Sequence, residues 1–234
     1  MEKAVTEDLK NSLEAMLTAE RINRIDTVLA HRTRNITVVL DRVYHEHNIS
    51  AVLRSADAFG IQRVHLIGKG FSSQRGISLG TERWVEVEQR EEAKELVDKL
   101  KGESFKLVSL VPPLAKDQMG TNRIEKEPVP VLSLPFDQKL AFVFGSEGEG
   151  ISEDLYLNCD IPAYIPMFGF VESLNVSVAC ALTLYSAFIA KGEFEQKAKT
   201  LTAEEKSDLR WDWIKKSVAN SDIVISELQK REQA

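Results

Sequence analysis

Ile161-Pro-Ala-Tyr-Ile-Pro-Met-Phe-Gly-Phe-Val-Glu-Ser-Leu-Asn-Val-Ser-Val-Ala-Cys-Ala-Leu-Thr-Leu-Tyr-Ser-Ala187 is the stretch on which the reading of this chain turns. It starts as a short apolar segment held between Pro162 and Pro166, bends at Gly169, and continues as a run of small and apolar residues suited to a closely packed helix. Polar groups are confined to the joint. Ser173, Asn175 and Ser177 are spaced two apart, so in an extended segment Ser173 and Asn175 point to one side, into a common cavity. The same residues also read as a helix start, with Ser173 as the N-cap and the others in a solvated first turn.

Two other segments share this character, each an apolar strand that breaks into a polar turn before a helix. The first is Asn35-Ile-Thr-Val-Val-Leu-Asp41, followed by Tyr44-His-Glu-His47 and then Asn48-Ile-Ser-Ala-Val-Leu-Arg54-Ser-Ala-Asp-Ala-Phe59. On a helical wheel Ile49, Val52, Leu53, Ala56 and Phe59 make one apolar stripe, which leaves Arg54 on the far side between Ala51 and Ala58. The second is Leu140-Ala-Phe-Val-Phe-Gly145-Ser-Glu147-Gly-Glu-Gly150. Its glycines follow G-x-x-G-x-G, not the dinucleotide order G-x-G-x-x-G, and Glu147 and Glu149 repel a pyrophosphate, so a neutral or cationic ligand suits the turn better. His45-Glu-His47 lacks the H-E-x-x-H spacing, no Cys/His cluster has ligand spacing, and no G-x-S-x-G elbow is present. No metal is expected.

In this order, across residues 20–190, the three segments resemble the three motifs of the SpoU (TrmH) family of RNA ribose 2'-O-methyltransferases, in the SPOUT superfamily. The resemblance implies an α/β fold whose mostly parallel sheet carries helices on both faces, with a C-terminal trefoil knot made by the segments containing Leu140–Gly150 and Ile161–Ala187. It also implies binding of S-adenosylmethionine in that knot, largely by backbone groups, at Gly145, Ile165 and Leu174 and at Leu110 on the end of its strand. Asn48, Arg54, Glu147, Ser173 and Asn175 fall on the family's functional polar positions. Family members are homodimers, and here the helix carrying Arg54 or the helix after Asn175 is expected in the interface.

The chemistry is methyl transfer to a ribose 2'-hydroxyl, which needs the nucleophile held in line and its proton removed. Arginine is a poor proton acceptor, so Arg54 acts either in an unusual environment or by pairing with the substrate phosphate. Asn48 and Glu147 are expected to anchor it and the backbone around it, while Ser173 and Asn175 shape the methionine and ribose pocket. Within the family the chain is most similar to the short tRNA enzymes that methylate guanosine 18 of the D-loop. Its departures are Tyr44-His-Glu-His47 where a Lys-Pro pair is usual, a longer stretch between Pro112 and Leu140, and an acidic total charge. They leave open an enzyme of rRNA, or a non-catalytic knotted RNA-binding protein.

With 234 residues, 43% of them hydrophobic and 28% charged, the chain can bury one sizeable core. We expect a helical extension at 1–34, a SPOUT domain at 35–192 and a second helical extension at 193–234. The net charge of -6 argues against nucleic acid as a partner of the whole surface, so RNA binding is expected from a local cluster, Arg21, Arg24, Arg32 and Arg34, joined by Arg75 in a Gly- and Ser-rich loop. Cys159 and Cys180 sit in apolar surroundings and read as buried thiols of a cytoplasmic protein. The N-terminus is polar and acidic, and the run Val176–Ala190 is too short to span a bilayer, so no membrane partner is expected.

Overall fold

The structure, a computed structural model, describes residues 6–68, 83–112, 126–190 and 201–231. The chain forms two compact units, one from Thr33 to Ala198 and the other from Met1–Arg32 together with Lys199–Ala234. The second unit begins with helices α1 (Glu7–Glu14) and α2 (Ala19–Ala30). Each starts where a threonine hydroxyl, of Thr6 or Thr18, accepts a backbone N–H of the first turn.

The larger unit is an α/β sheet that runs β1 (Ile36–Asp41), α3 (Glu46–Ala58), β2 (Arg63–Ile67), β3 (Glu86–Arg90), α4 (Ala93–Gly102), β4 (Lys106–Leu110) and β5 (Val129–Pro130). It continues through β6 (Leu140–Gly145), the short helix α5 (Glu153–Tyr156), β7 (Ile161–Tyr164) and α6 (Val176–Ala190). The strands lie in the order β3-β2-β1-β6-β4-β7-β5, and every pair is parallel. β1 and β6 take the centre because they are continuous apolar runs, buried on both faces. Their alternate residues feed two cores. Ile36, Val38, Leu40, Leu140, Phe142 and Phe144 pack with Ile49, Val52 and Leu53 of α3 and Cys180 and Leu184 of α6. Val39, Ala141 and Val143 pack with Leu96, Val97 and Leu100 of α4 and Leu155 of α5. The sheet therefore carries helices on both faces.

The apolar stripe of α3 lies where the helical wheel puts it, although the helix starts at Glu46, two residues earlier than expected. The long stretch between Pro112 and Leu140 includes, within the described residues, the two-residue strand β5 and a single 3-10 turn at Val131–Ser133. β3, at the edge of the sheet, is half-buried and largely charged. Its Glu88 and Arg90 stay polar because they pair with each other and, through Glu88, with Lys99 of α4.

The smaller unit is completed by α7 (Ala203–Ser217) and α8 (Ser221–Arg231). A capping box between Thr202 and Glu205 sets the start of α7. Arg210 of α7 then binds Glu14 at 2.6 Å and Asp26 at 2.7 Å, tying α1 and α2 to it. The paired carboxylates raise the guanidinium's affinity for its proton, and the Arg210 hydrogen bond holds Glu14 below its ordinary pKa. Among the described residues no helix is long and apolar enough to cross a membrane.

Candidate active site

The register aligns Asp41 at the end of β1 with Gly145 at the end of β6. Both chains must turn there, and each does so with a strained or special residue. Arg42 has φ 53°, in the left-handed region that non-glycine residues seldom enter. Gly145 faces Gly150 so closely that an added Cβ would lie 2.0 Å from the Gly150 carbonyl carbon, so only glycine fits. The Gly145–Gly150 turn closes on itself through Gly150 N–H donating to the Ser146 carbonyl at 2.9 Å. β1 clamps it from the side. The buried Asp41 carboxylate accepts the Ser152 N–H at 2.5 Å, and Arg42 Nη1 donates to Glu149 Oε2 at 2.7 Å.

Asn175 occupies the N-cap position of α6, which overturns the reading of Ser173 as the cap. Its Oδ1 accepts the Ser177 N–H at 2.9 Å and the Ser177 hydroxyl at 2.5 Å. With the oxygen so committed, the amide nitrogen points outward. It donates to Asn48 Oδ1 at 3.0 Å and to Glu147 Oε1 at 3.1 Å, and Asn48 Nδ2 donates to the same carboxylate oxygen at 2.6 Å. The first turn of α3, the Gly145–Gly150 turn and the start of α6, with Asn48 and Asn175 separated by 127 residues, are thus joined in one closed triangle in which every amide direction is fixed by a partner.

Beside this triangle lies a cavity of about 410 Å³ outside the carboxyl ends of β4, β6 and β7, where ligands of parallel α/β sheets bind. Leu110, Gly145, Ile165 and Leu174 all line it, as do Glu147 and Ser173. Asn48 and Asn175 are not part of its lining but donate to Glu147, which is. Arg54 lies six residues beyond Asn48 on α3, about 9 Å along the helix. It is exposed and makes no hydrogen bond or ion pair among the described residues.

The cavity also takes in residues that the sequence reading did not single out, notably Tyr156, Met167 and Glu172. Met167 and Glu172 stand in the decisive stretch itself, but neither residue type signals a ligand on its own. Burial, and after it Cys159, raises the pKa of the Tyr156 phenol, so at neutral pH it is an uncharged wall. The neighbouring Cys159 thiol is pushed up to about 12, chiefly by burial. Among the described residues the lining carries three carboxylates, Glu147, Glu149 and Glu172, and no lysine, arginine or histidine. Among the described residues no group of three or more His, Cys, Asp or Glu side chains is arranged to hold a metal ion.

The arginines expected to contact RNA are dispersed. Arg24 is exposed on α2, and Arg21 donates to the Ser217 hydroxyl at 3.2 Å. Arg34 pairs with Glu86. Arg32 is fully buried with its guanidinium 5.1 Å from the Trp213 ring centre, a position that does not offer its charge to a surface ligand. Arg75 lies outside the described residues.

A parallel sheet with a glycine-clamped cavity at its carboxyl edge and an Asn-Glu-Asn triangle beside it defines a narrow class. Residues 35–185 match the model of the SpoU rRNA Methylase family, and the chain belongs to that family. It is similar to the tRNA (guanosine(18)-2'-O)-methyltransferase of Borreliella burgdorferi, with 28% identity over 216 residues, 91% of this chain and 92% of the relative. The crystal structure of the A. aeolicus TrmH/SpoU tRNA modifying enzyme superposes with a TM-score of 0.70 at 28% identity, covering 86% of this chain and 98% of that one. The SpoU methyltransferase AviRb of Streptomyces viridochromogenes, in complex with the cofactor AdoMet, shares the fold with a TM-score of 0.56 at 24% identity, over 67% of this chain and 60% of that one.

Proposed function

We propose that this protein is an S-adenosylmethionine-dependent tRNA ribose methyltransferase that acts on the 2'-hydroxyl of guanosine 18 in the D-loop. The observation that carries the reading is the Asn48–Glu147–Asn175 triangle, which assembles three of the five expected polar residues beside the cavity lined by all four expected cofactor residues. Membership of the family and the activity named for the Borreliella relative support the substrate.

The cavity fits the cofactor. It has the size of an ordinary small-molecule site, it meets a cationic ligand with carboxylates, and its Gly145 wall lets backbone approach closely. When bound, S-adenosylmethionine supplies a methyl group on a sulfonium that an oxygen nucleophile can attack in line. The rest is the work of side chains. Asn48 and Asn175 hold Glu147 with two amide donors, fixing the turn that borders the methyl donor. Ser173, on the cavity wall without a side-chain partner among the described residues, borders the methionine and ribose. Arg54, uncommitted on its helix face, binds the phosphate beside the target ribose and so sets the 2'-hydroxyl in place.

We also assign the chain a C-terminal trefoil knot, in which the segments from Leu140 to Gly150 and from Ile161 to Ala187 form the threaded part of a SPOUT domain at 35–192, flanked by extensions at 1–34 and 193–234. Placement of β6 between β1 and β4, with α6 returning to pack on α3, supports it. A crystal structure traced through these segments decides the topology. The enzyme is a cytoplasmic homodimer. Val178, Leu182, Tyr185 and Ile189 of α6 are each at least 41% exposed at spacings of four, three and four, a continuous apolar stripe that a second copy covers. Sedimentation equilibrium showing only monomer at micromolar concentration removes the dimer. RNA contacts fall to Arg21, Arg24, Arg34 and Arg75, with Arg32 acting through its packing.

Incubation of the protein with unmodified tRNA and S-adenosylmethionine, followed by nucleoside mass spectrometry, should yield ribose-methylated guanosine. Its absence from tRNA, or its appearance at a position other than 18, overturns the assignment.

A further inference from the structure

The three carboxylates of the cavity are not equivalent. Glu149 is neutralised by Arg42 at 2.7 Å, and Glu147 receives the amide donors of Asn48 and Asn175. Glu172 lines the same cavity, yet it makes no hydrogen bond or ion pair among the described residues. It follows Met167 and immediately precedes Ser173 and Leu174, all of them on the cavity wall. One negative charge in the lining is therefore left for a ligand to satisfy.

Resting on the cofactor reading above, we infer that Glu172 is a specificity residue that binds the α-ammonium group of the methionine end of S-adenosylmethionine. The ligand offers two cations, and chemistry separates them. An ammonium carries N–H donors and forms charge-assisted hydrogen bonds with a carboxylate, whereas a sulfonium has no donor to give. An unengaged carboxylate beside the sulfonium methyl would also be a competing nucleophile. The methyl is instead turned to the triangle side, where Glu147 Oε1 already accepts from both amides. Glu172 thus grips the far end of the ligand and discriminates for amino-acid-bearing nucleosides over plain ones.

Calorimetry with three ligands tests this without any turnover. They are S-adenosylmethionine, S-adenosylhomocysteine, which keeps the ammonium and lacks the sulfonium, and 5'-methylthioadenosine, which lacks both. Replacing an exposed carboxylate partner costs about a kcal/mol, so Glu172→Gln should weaken the first two ligands by about fivefold each and leave methylthioadenosine unchanged. Unchanged methylthioadenosine binding also shows that the pocket is folded. Loss for S-adenosylmethionine alone would place Glu172 at the sulfonium and overturn the assignment, as would equal loss for all three ligands or no loss for any. Failure of the wild-type protein to bind any of the three would instead sink the cofactor reading itself.

Discussion

Asn175 performs two tasks with the two ends of one amide, and substitutions separate them. Asn175→Ala removes the N-cap acceptor of Ser177 N–H, which costs about 1 kcal/mol, and two donor bonds, each about 0.5–1 kcal/mol at this partly exposed site. The sum is about 2–3 kcal/mol, which for a unit of this size lowers the melting temperature by about 4–12 °C. Asn175→Ser keeps a capping oxygen and loses only the donors, so it should cost about half as much. Asn175→Asp keeps the cap but sets a carboxylate where the amide donated to Glu147 at 3.1 Å, so it should cost at least as much as alanine. Thermal denaturation of the three variants beside calorimetry with S-adenosylmethionine gives both readouts, and all three should bind the cofactor more weakly. An aspartate variant as stable as the wild type would mean that the amide does not donate to Glu147, and the triangle would lose its third side.

Arg54→Ala should bind S-adenosylmethionine with unchanged affinity yet lose methyl transfer, since the residue is exposed and outside the cavity lining; a variant with wild-type turnover removes it from the mechanism. Gly145→Ala drives a methyl group to 2.0 Å from the Gly150 carbonyl carbon, so cofactor binding should be lost along with about 2 kcal/mol or more of stability; retained binding shows that the turn yields. Stability should fall on acidification. His65, buried with both ring nitrogens lacking hydrogen bonds, is lowered to about 3 by burial, with Glu88 opposing and Arg63, Lys99 and Arg90 adding to the shift. The unfolded chain therefore takes up more protons between about pH 6.5 and 3. For Glu88, burial is outweighed by the Lys99 and Arg90 hydrogen bonds and by the charge of Arg63, giving about 2, so its contribution is also lost as pH falls below 4.5. Urea midpoints that stay flat from pH 7 to 5 contradict the His65 part. For RNA, each of Arg21, Arg24 and Arg34 changed to alanine should reduce the slope of log affinity against log salt by about one contact. An unaltered slope moves the RNA surface elsewhere.

What the sequence made legible is what depends on local pattern. β1 and β6 announce themselves because strands buried on both faces need uninterrupted apolar runs, and the stripe of α3 follows from helical periodicity. β5 is two residues long and leaves no period to read. Asn175 reads from the sequence either as a pocket residue or as part of a solvated first turn capped by Ser173, and the structure shows its own side chain serving as cap and as donor. The pairings that close the site join residues far apart in the chain, Arg42 with Glu149 across 107 positions and Asn48 with Glu147 across 99, and no local rule finds them. Arg32 makes the same point in reverse. An arginine at a helix end in a run of arginines has the composition of a solvated basic face, and only the arrival of Trp213 turns it into a buried stacking partner. Motif residues are thus readable as a set because their chemistry is shared, whereas the division of labour within the set is decided by which partner each polar atom meets. That is why Glu172, chemically the same as Glu147 and Glu149, becomes distinguishable only after the other two carboxylates are seen to be engaged.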